Sequence, residues 1–227
     1  MARVINGFGM KAVKGLAGAA ATLCLMAGVG QIKAQDAATA APATGKLSAA
    51  APVTYANRWE VFGGIMLQND QAGQNLPKRM NMGGVEVLAT YWVSKNWGVG
   101  GDFRGMAGTT PVFPNPYTIR PLVVMYEGMG GVEYRGPRNQ RAAINLHAYA
   151  GAMKGVFDYT PLPTGYDVGL YKNRTKPMAA IGTSFDFNRS KNVAIRLSPD
   201  LIIEHLGTET REFFAISGGV VYRFGKN

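Results

Sequence analysis

Residues 82–107 read MGGVEVLATYWVSKNWGVGGDFRGMA. Apolar Val85 and Val87 flank the charged Glu86, and this alternation continues to the polar turn at residues 94–96 and resumes after it. A period of two residues is the pattern of a β-strand with one apolar and one polar face. Two such strands joined by a short polar turn predict an antiparallel β-hairpin.

The same alternation recurs from residue 55 to the end of the chain, and no helical period interrupts it. Eight segments carry it: 57–68, 82–94, 97–107, 121–135, 142–154, 177–188, 193–205 and 212–224. Ordinary strands of soluble proteins have roughly 5–6 residues. A tilted strand that spans a membrane needs roughly 9–11 residues, a length that each of these segments reaches.

Short and long links alternate between the segments. The short links are residues 94–96, 136–140 and 188–192, and the long ones are 69–81, 108–120, 155–176 and 206–211. Outer-membrane barrels have short periplasmic turns and long outer loops, and they close because lipid tolerates no open sheet edge. The sequence therefore predicts that residues 55–227 form an all-β, eight-stranded, antiparallel up-and-down transmembrane barrel.

One face of the predicted strands carries most of the charges, and we expect it to point into the lumen. The predicted lumen charge network is Glu60, Glu86, Asp102, Arg104, Glu127, Glu133, Arg135, Asp186, Arg196, Asp200, Glu204 and Arg223. Side chains just fill the interior of an eight-stranded barrel, and acids pair there with arginines. Arg58 lies on the same face of the first segment. Pro199 predicts a bulge in the seventh strand, because proline cannot donate a hydrogen bond to the strand ladder.

Aromatic residues of the apolar face cluster near the short turns. The predicted girdle is Trp59, Tyr91, Trp97, Tyr134, Phe187, Tyr222 and Phe224. Aromatic side chains prefer the membrane–water interface, so this belt predicts the periplasmic boundary of the barrel.

The N-terminal segment is predicted to be an export signal. Residues 1–34 combine basic residues, a small apolar core and a candidate cleavage site, as a secretory signal peptide does. Residues 35–54 are rich in Ala, Pro and Thr and predict a flexible leader that packs against nothing. The only cysteine, Cys24, lies in the signal peptide, so the remaining chain is predicted to have no disulfide or thiolate metal site.

No catalytic, cofactor or metal site is predicted, and we expect no enzymatic activity. The chain contains no GxxxxGK, HExxH or CxxC motif. His147 is interpreted as a hydrogen-bonded lumen residue, and His205, Glu204 and Glu209 as ordinary residues at the edge of a loop. The net charge of +10 comes from scattered basic residues with no basic helix or stripe, which argues against nucleic-acid binding.

Several segments resemble the single-domain outer-membrane β-barrel family of the small OmpA/OmpX-like kind. They are WEVFGG at 59–64, WGVGGDF at 97–103, NVAIRL at 192–197 and GGVVYRFG at 218–225. The resemblance implies an outer-membrane location in a diderm bacterium, contact with outer-membrane lipid, and biogenesis through periplasmic chaperones and the barrel-assembly machinery. It also implies a C-terminal insertion signal at Val220, Tyr222 and Phe224, although the chain continues with Gly-Lys-Asn instead of ending on an aromatic residue.

The role of the barrel stays open between several alternatives. The leading hypothesis is a monomeric barrel with a structural or surface-interaction role. The alternative is a narrow porin-like channel for small solutes. A lipid-modifying enzyme of the outer membrane and a soluble lipocalin-like binder rank below both, and the lipocalin type would turn its apolar face inward.

Overall fold

The computed structural model describes residues 53–73, 79–110, 120–157, 159, 169–205 and 208–226. The strands are β1 Asn57–Asp70, β2 Met80–Trp92, β3 Trp97–Thr109, β4 Leu122–Arg138, β5 Ala142–Val156, β6 Arg174–Asn188, β7 Val193–Glu204 and β8 Arg211–Lys226. The predicted signal peptide and nearly all of the predicted leader lie outside the described residues and stay predictions. No helix long and apolar enough to cross a membrane occurs in the described ranges.

Each strand pairs antiparallel with the next, and β1 pairs with β8, so the sheet closes into a barrel. The predicted fold and all eight predicted strands are confirmed. Several strands run further into the long links than the alternation predicts. β1 reaches Asp70, which pairs with Met80, and β6 begins at Arg174, which pairs with Gly155. Backbone pairing therefore continues beyond the segments in which polar and apolar residues alternate clearly.

The outer face of the barrel wall is apolar, and the interior holds the charged side chains together with buried apolar ones. Val87 is 51% exposed on the outer face, whereas its neighbour Glu86 is 2% exposed and points inward. Ile65, Phe103 and Ile181 are also exposed on the outer face. A soluble lipocalin-like barrel has the opposite arrangement, because its apolar side chains line the interior. The lipocalin alternative is therefore wrong.

Two local predictions about the strands are wrong. Arg58 shares the inward parity but lies at the barrel end, where its exposed guanidinium donates to the Tyr91 hydroxyl over 3.3 Å. The pairs Gly182 with Asp200 and Phe185 with Leu197 keep one register on both sides of Pro199, so no extra residue is inserted there. A register shift occurs instead between Arg135 and Arg138.

The segment before β1 packs under the short-turn end of the barrel. The hydroxyl of Tyr55 donates to the Asn139 carbonyl over 2.7 Å, and Arg135 Nη1 donates to the Tyr55 carbonyl over 3.0 Å. Val53 is buried, and its amide donates to Gln140 Oε1 over 2.7 Å. The prediction of a leader without contacts up to residue 54 is therefore wrong at Val53.

Candidate functional site: the polar lumen

All predicted lumen charges are buried, none of them more than 3% exposed. They are Glu60, Glu86, Asp102, Arg104, Glu127, Glu133, Arg135, Asp186, Arg196, Asp200, Glu204 and Arg223. Alternation along each strand places them inside, because successive side chains of a strand point to opposite faces. The structure arranges most of them in three groups, one near the short turns, one midway and one near the long loops.

The group near the short turns, here called the turn-end cluster, joins two acids to three arginines. Glu60 accepts from Arg135 at 2.5 Å, from Arg196 at 3.1 Å and from Arg223 at 3.2 Å. Asp186 accepts from Arg196 at 2.6 Å and from Arg223 at 2.7 Å. Five strands contribute to this cluster, so its ion pairs tie together distant parts of the wall.

The middle cluster surrounds Arg104. Its guanidinium lies 2.8 Å from Asp102, 3.5 Å from Glu86 and 2.5 Å from Asp200. Asp200 also lies 2.8 Å from Nε2 of His147, which makes His147 a hydrogen-bonded lumen residue. Glu86 on β2 and Asp102 on the neighbouring strand β3 therefore both contact the same arginine, Arg104.

Glu133 is held by neutral hydroxyl groups. Thr90 Oγ1 donates to it over 2.7 Å, and the Tyr149 hydroxyl donates to the same oxygen. A Cβ on Gly131 would lie 2.7 Å from Cα and Cδ1 of Tyr149, so glycine leaves the space that this ring occupies. Tyr149 is a lumen residue that was not predicted, and the signal that identifies it is the parity that it shares with His147 and Asn145.

The third group, here called the loop-end cluster, consists of Gln68, Asp70, Glu127 and Glu204. Gln68 Nε2 lies 3.3 Å from an oxygen of Asp70, 3.3 Å from Glu127 and 3.2 Å from Glu204. Asp70 was not predicted to lie in the lumen, because residues 69–81 read as a loop link, and an extension of the β1 alternation by two residues is the signal that identifies it. Gln68 lies on the lumen parity within the predicted segment 57–68, but it is uncharged and was not counted among the lumen charges.

The predicted girdle residues surround the barrel near the short turns. Their side chains lie on the outer face, where Trp59 contacts Tyr91 at a ring distance of 4.8 Å and Trp97 contacts Tyr134 at 5.0 Å. Phe224 stacks on Trp59 at 6.5 Å. The other girdle members, Phe187 and Tyr222, are also exposed. On β8, Val220, Tyr222 and Phe224 are exposed together along one face.

The residues around His205 do not converge. Its Nδ1 lies 3.1 Å from Thr210 Oγ1, Glu204 is buried in the lumen, and Glu209 pairs with Arg211 at 3.2 Å. Across the described ranges, no group of three or more His, Cys, Asp or Glu residues is arranged to hold a metal ion.

Similarity to solved structures extends over the whole barrel. Neisserial surface protein A is 12% identical, with 73% of this chain and 97% of that chain covered and a TM-score of 0.55. The chain has the fold of the small outer-membrane β-barrels. The outer membrane protein OprG from Pseudomonas aeruginosa is 11% identical, with coverages of 74% and 96% and a TM-score of 0.50. Ail of Yersinia pestis is 20% identical, with coverages of 74% and 99% and a TM-score of 0.47.

Sequence comparisons give no closer assignment. No protein-family model matches the chain. No curated protein matches it either.

Proposed function

We propose that this chain is an integral protein of the bacterial outer membrane with a surface-interaction role. The observation that carries the proposal is the reversed wall, apolar on the outside and charged on the inside. An exposed apolar outer surface is unfavourable in water and favourable in lipid, where outward side chains contact acyl chains. The aromatic girdle of Trp59, Tyr91, Trp97 and Tyr134 marks one membrane interface in this arrangement.

The orientation of the barrel follows from its links. Short turns face the periplasm in outer-membrane barrels, and long loops face outward. β1 starts and β8 ends at the short-turn end, so the start of β1 and the end of β8 lie on the periplasmic side in this proposal. The exposed face of Val220, Tyr222 and Phe224 is the surface that we expect the barrel-assembly machinery to recognise during insertion.

The filled lumen supports a surface role over the porin-like alternative. Trp92, Arg104, Arg135 and Arg196 are the largest of the fully buried side chains, and all of them occupy the interior. The Arg135 guanidinium lies 3.7 Å from the centre of the Trp92 ring, which closes the lumen near the short turns. A solute path through this packing requires several ion pairs to break, so we propose that the barrel conducts no solutes.

Basic residues at the loop end suit an anionic partner. Arg79, Arg120, Lys154 and Lys172 are exposed there, on four different segments. Phosphate groups of outer-membrane lipids lie at the same level, and Lys and Arg attract them electrostatically. We propose that this rim contacts the headgroups of the outer leaflet and that the monomer is the working unit.

Three measurements test the proposal. We expect the purified protein to partition into detergent, to migrate differently on gels with and without heating, and to leave planar bilayers without conductance. A protein that stays soluble without detergent contradicts the membrane assignment. Stepwise single-channel conductance contradicts the closed lumen and supports the porin-like alternative.

A further inference from the structure

Two of the short turns share one sequence and one set of hydrogen bonds. Residues 94–96 and 190–192 both read Ser-Lys-Asn. In each turn the serine Oγ accepts from the backbone amide three residues further on, over 3.0 Å in the first turn and 3.1 Å in the second. The serine amide also donates to the carbonyl of that same residue, over 3.0 Å in both turns. The same bonds therefore fix the backbone around Lys95 and around Lys191, and both lysines are exposed.

The third described short turn also carries basic residues on a fixed backbone. Asn139 Oδ1 accepts from the amides of Arg141 and Ala142 over 2.8 Å each, and the Asn139 amide donates to the Ala142 carbonyl over 2.8 Å. Each of the three turns thus presents at least one basic side chain that is exposed or half-buried. These residues, here called the turn cations, are Lys95, Arg138, Arg141, Arg189 and Lys191.

No exposed carboxylate accompanies the turn cations among the described residues. The acids nearest to this end of the barrel, Glu60, Glu133 and Asp186, are buried in the lumen. The exposed acids of the described ranges, Glu209 and Glu212, lie at the loop end. The solvent-accessible charge of the short-turn end is therefore of one sign, and such a surface attracts anions.

The turn cations lie directly beside the aromatic girdle. Trp97 follows Lys95 by two residues and is 55% exposed, and Phe187 precedes Arg189 by two residues and is 50% exposed. Two residues of a strand span about 7 Å. Because aromatic belts lie at the level of the lipid headgroups, this spacing places the turn cations at the level of the lipid phosphates.

A cleft beside Lys191 combines a charged side chain with an apolar one. It has a volume of about 350 Å³, and its lining includes Tyr55, Lys191, Asn192 and Phe224. Phe224 belongs to the lipid-facing girdle, whereas Lys191 and Asn192 belong to the turn. A molecule that joins an anionic group to an apolar part, as a phospholipid does, fits this cleft better than a wholly polar polymer does.

We propose that the short-turn end of the barrel binds the phosphate groups of anionic phospholipids in the inner leaflet of the outer membrane, with Lys95 and Lys191 as the main contacts. Each basic residue near an anionic membrane surface strengthens binding about fivefold. The inference rests on the proposed membrane placement and orientation. It goes beyond them, because it assigns a ligand to the periplasmic end of the barrel.

The positions of the tryptophans make this end of the barrel measurable on its own. Of the three tryptophans of the chain, Trp59 and Trp97 belong to the girdle, and Trp92 is buried in the lumen. The protein is reconstituted in vesicles of phosphatidylcholine with brominated acyl chains, which quench tryptophan fluorescence, and unbrominated phosphatidylglycerol is mixed in stepwise. We expect fluorescence to recover more steeply than with unbrominated phosphatidylcholine, because phosphatidylglycerol displaces the quencher from the girdle.

A pair of matched double variants tests the two lysines. Lys95→Gln combined with Lys191→Gln should reduce the preference for phosphatidylglycerol at least about fivefold. Lys154→Gln combined with Lys172→Gln is the control, because it removes two exposed lysines at the loop end, and we expect it to keep the preference. An equal reduction in both double variants means that only net charge matters, and it overturns the proposal.

The same experiment separates this inference from the proposed function. Tryptophans that brominated phosphatidylcholine does not quench lie outside the bilayer, and that result contradicts the membrane placement itself. Efficient quenching without a preference for phosphatidylglycerol overturns only the present inference. If the protein then sediments with purified peptidoglycan and the Lys95 and Lys191 double variant does not, the two lysines bind acidic groups of the cell wall instead.

Discussion

Replacement of Glu60 by Gln tests whether the turn-end cluster stabilises the barrel. Gln has nearly the same shape as Glu and keeps an oxygen that accepts hydrogen bonds, so the change removes charge with little change in packing. Arg196 and Arg223 retain Asp186 as a partner at 2.6 and 2.7 Å. Arg135 has no other carboxylate partner among the described residues and loses its 2.5 Å ion pair.

The expected loss follows from this isolated guanidinium. Removal of one partner of a buried ion pair costs about 3–5 kcal/mol, because the remaining charge is buried without compensation. Arg135 keeps the Tyr55 carbonyl at 3.0 Å and the Trp92 ring, which solvate it in part. We therefore expect Glu60→Gln to lower the free energy of unfolding by about 3 kcal/mol, at the lower end of that range.

Urea unfolding in lipid vesicles, followed by tryptophan fluorescence, measures this free energy. Glu212→Gln is the matched control, because Glu212 is exposed on β8, and we expect a change within about 0.5 kcal/mol there. Met in place of Arg135 removes the isolated charge, so the double variant Glu60→Gln with Arg135→Met should recover part of the loss. A loss below about 1 kcal/mol for Glu60→Gln means that the cluster behaves as a solvated surface pair and refutes the reasoning.

Three further changes test the wall, the interior and the segment before β1. Val87→Arg, on the exposed mid-strand face, should lower the free energy of unfolding in bilayers by about 2–4 kcal/mol, and Val93→Arg in the turn should lower it by about 0–1 kcal/mol. Equal losses for the two variants in vesicle unfolding contradict a lipid-facing wall. Gly182→Ala places a Cβ 2.0 Å from Asp200 Oδ1, so we expect the free energy of unfolding to fall by about 1–3 kcal/mol. A Cβ at Gly101 would have nothing within 4 Å, so Gly101→Ala should be near neutral by the same assay. Deletion through Tyr55 should lower the thermal midpoint relative to deletion through residue 52, and identical midpoints contradict a packing role for that segment.

The sequence predicts the barrel well because its signal is repeated in every strand. The alternation at Val85, Glu86 and Val87 predicts that the two valines point outward and the glutamate inward, and the sheet places them in these directions. Strand number, link order and the face of each charge follow from that period alone. Arg58 shows the limit, since parity predicts a direction only where the strand is enclosed by neighbours on both sides.

Partners across the lumen are less accessible to sequence reasoning. Glu60 and Arg135 are separated by 75 residues, and Gln68 and Glu204 by 136. Their contacts depend on closure of the barrel and on the stagger between strands, which no local pattern contains.

Burial of the acids inside the barrel changes which charges are in contact with solvent. Carboxylates that balance the basic residues in the unfolded chain are enclosed, whereas Lys95, Arg141, Lys154 and Lys172 stay in contact with solvent. Four arginines are buried with the acids, and the net charge is unchanged, but the local potential at the two ends of the barrel is set mainly by these exposed basic side chains. Closure of the barrel thus leaves exposed basic side chains at both of its ends. These side chains attract anionic molecules toward both faces of the membrane, and the attraction weakens as salt is added.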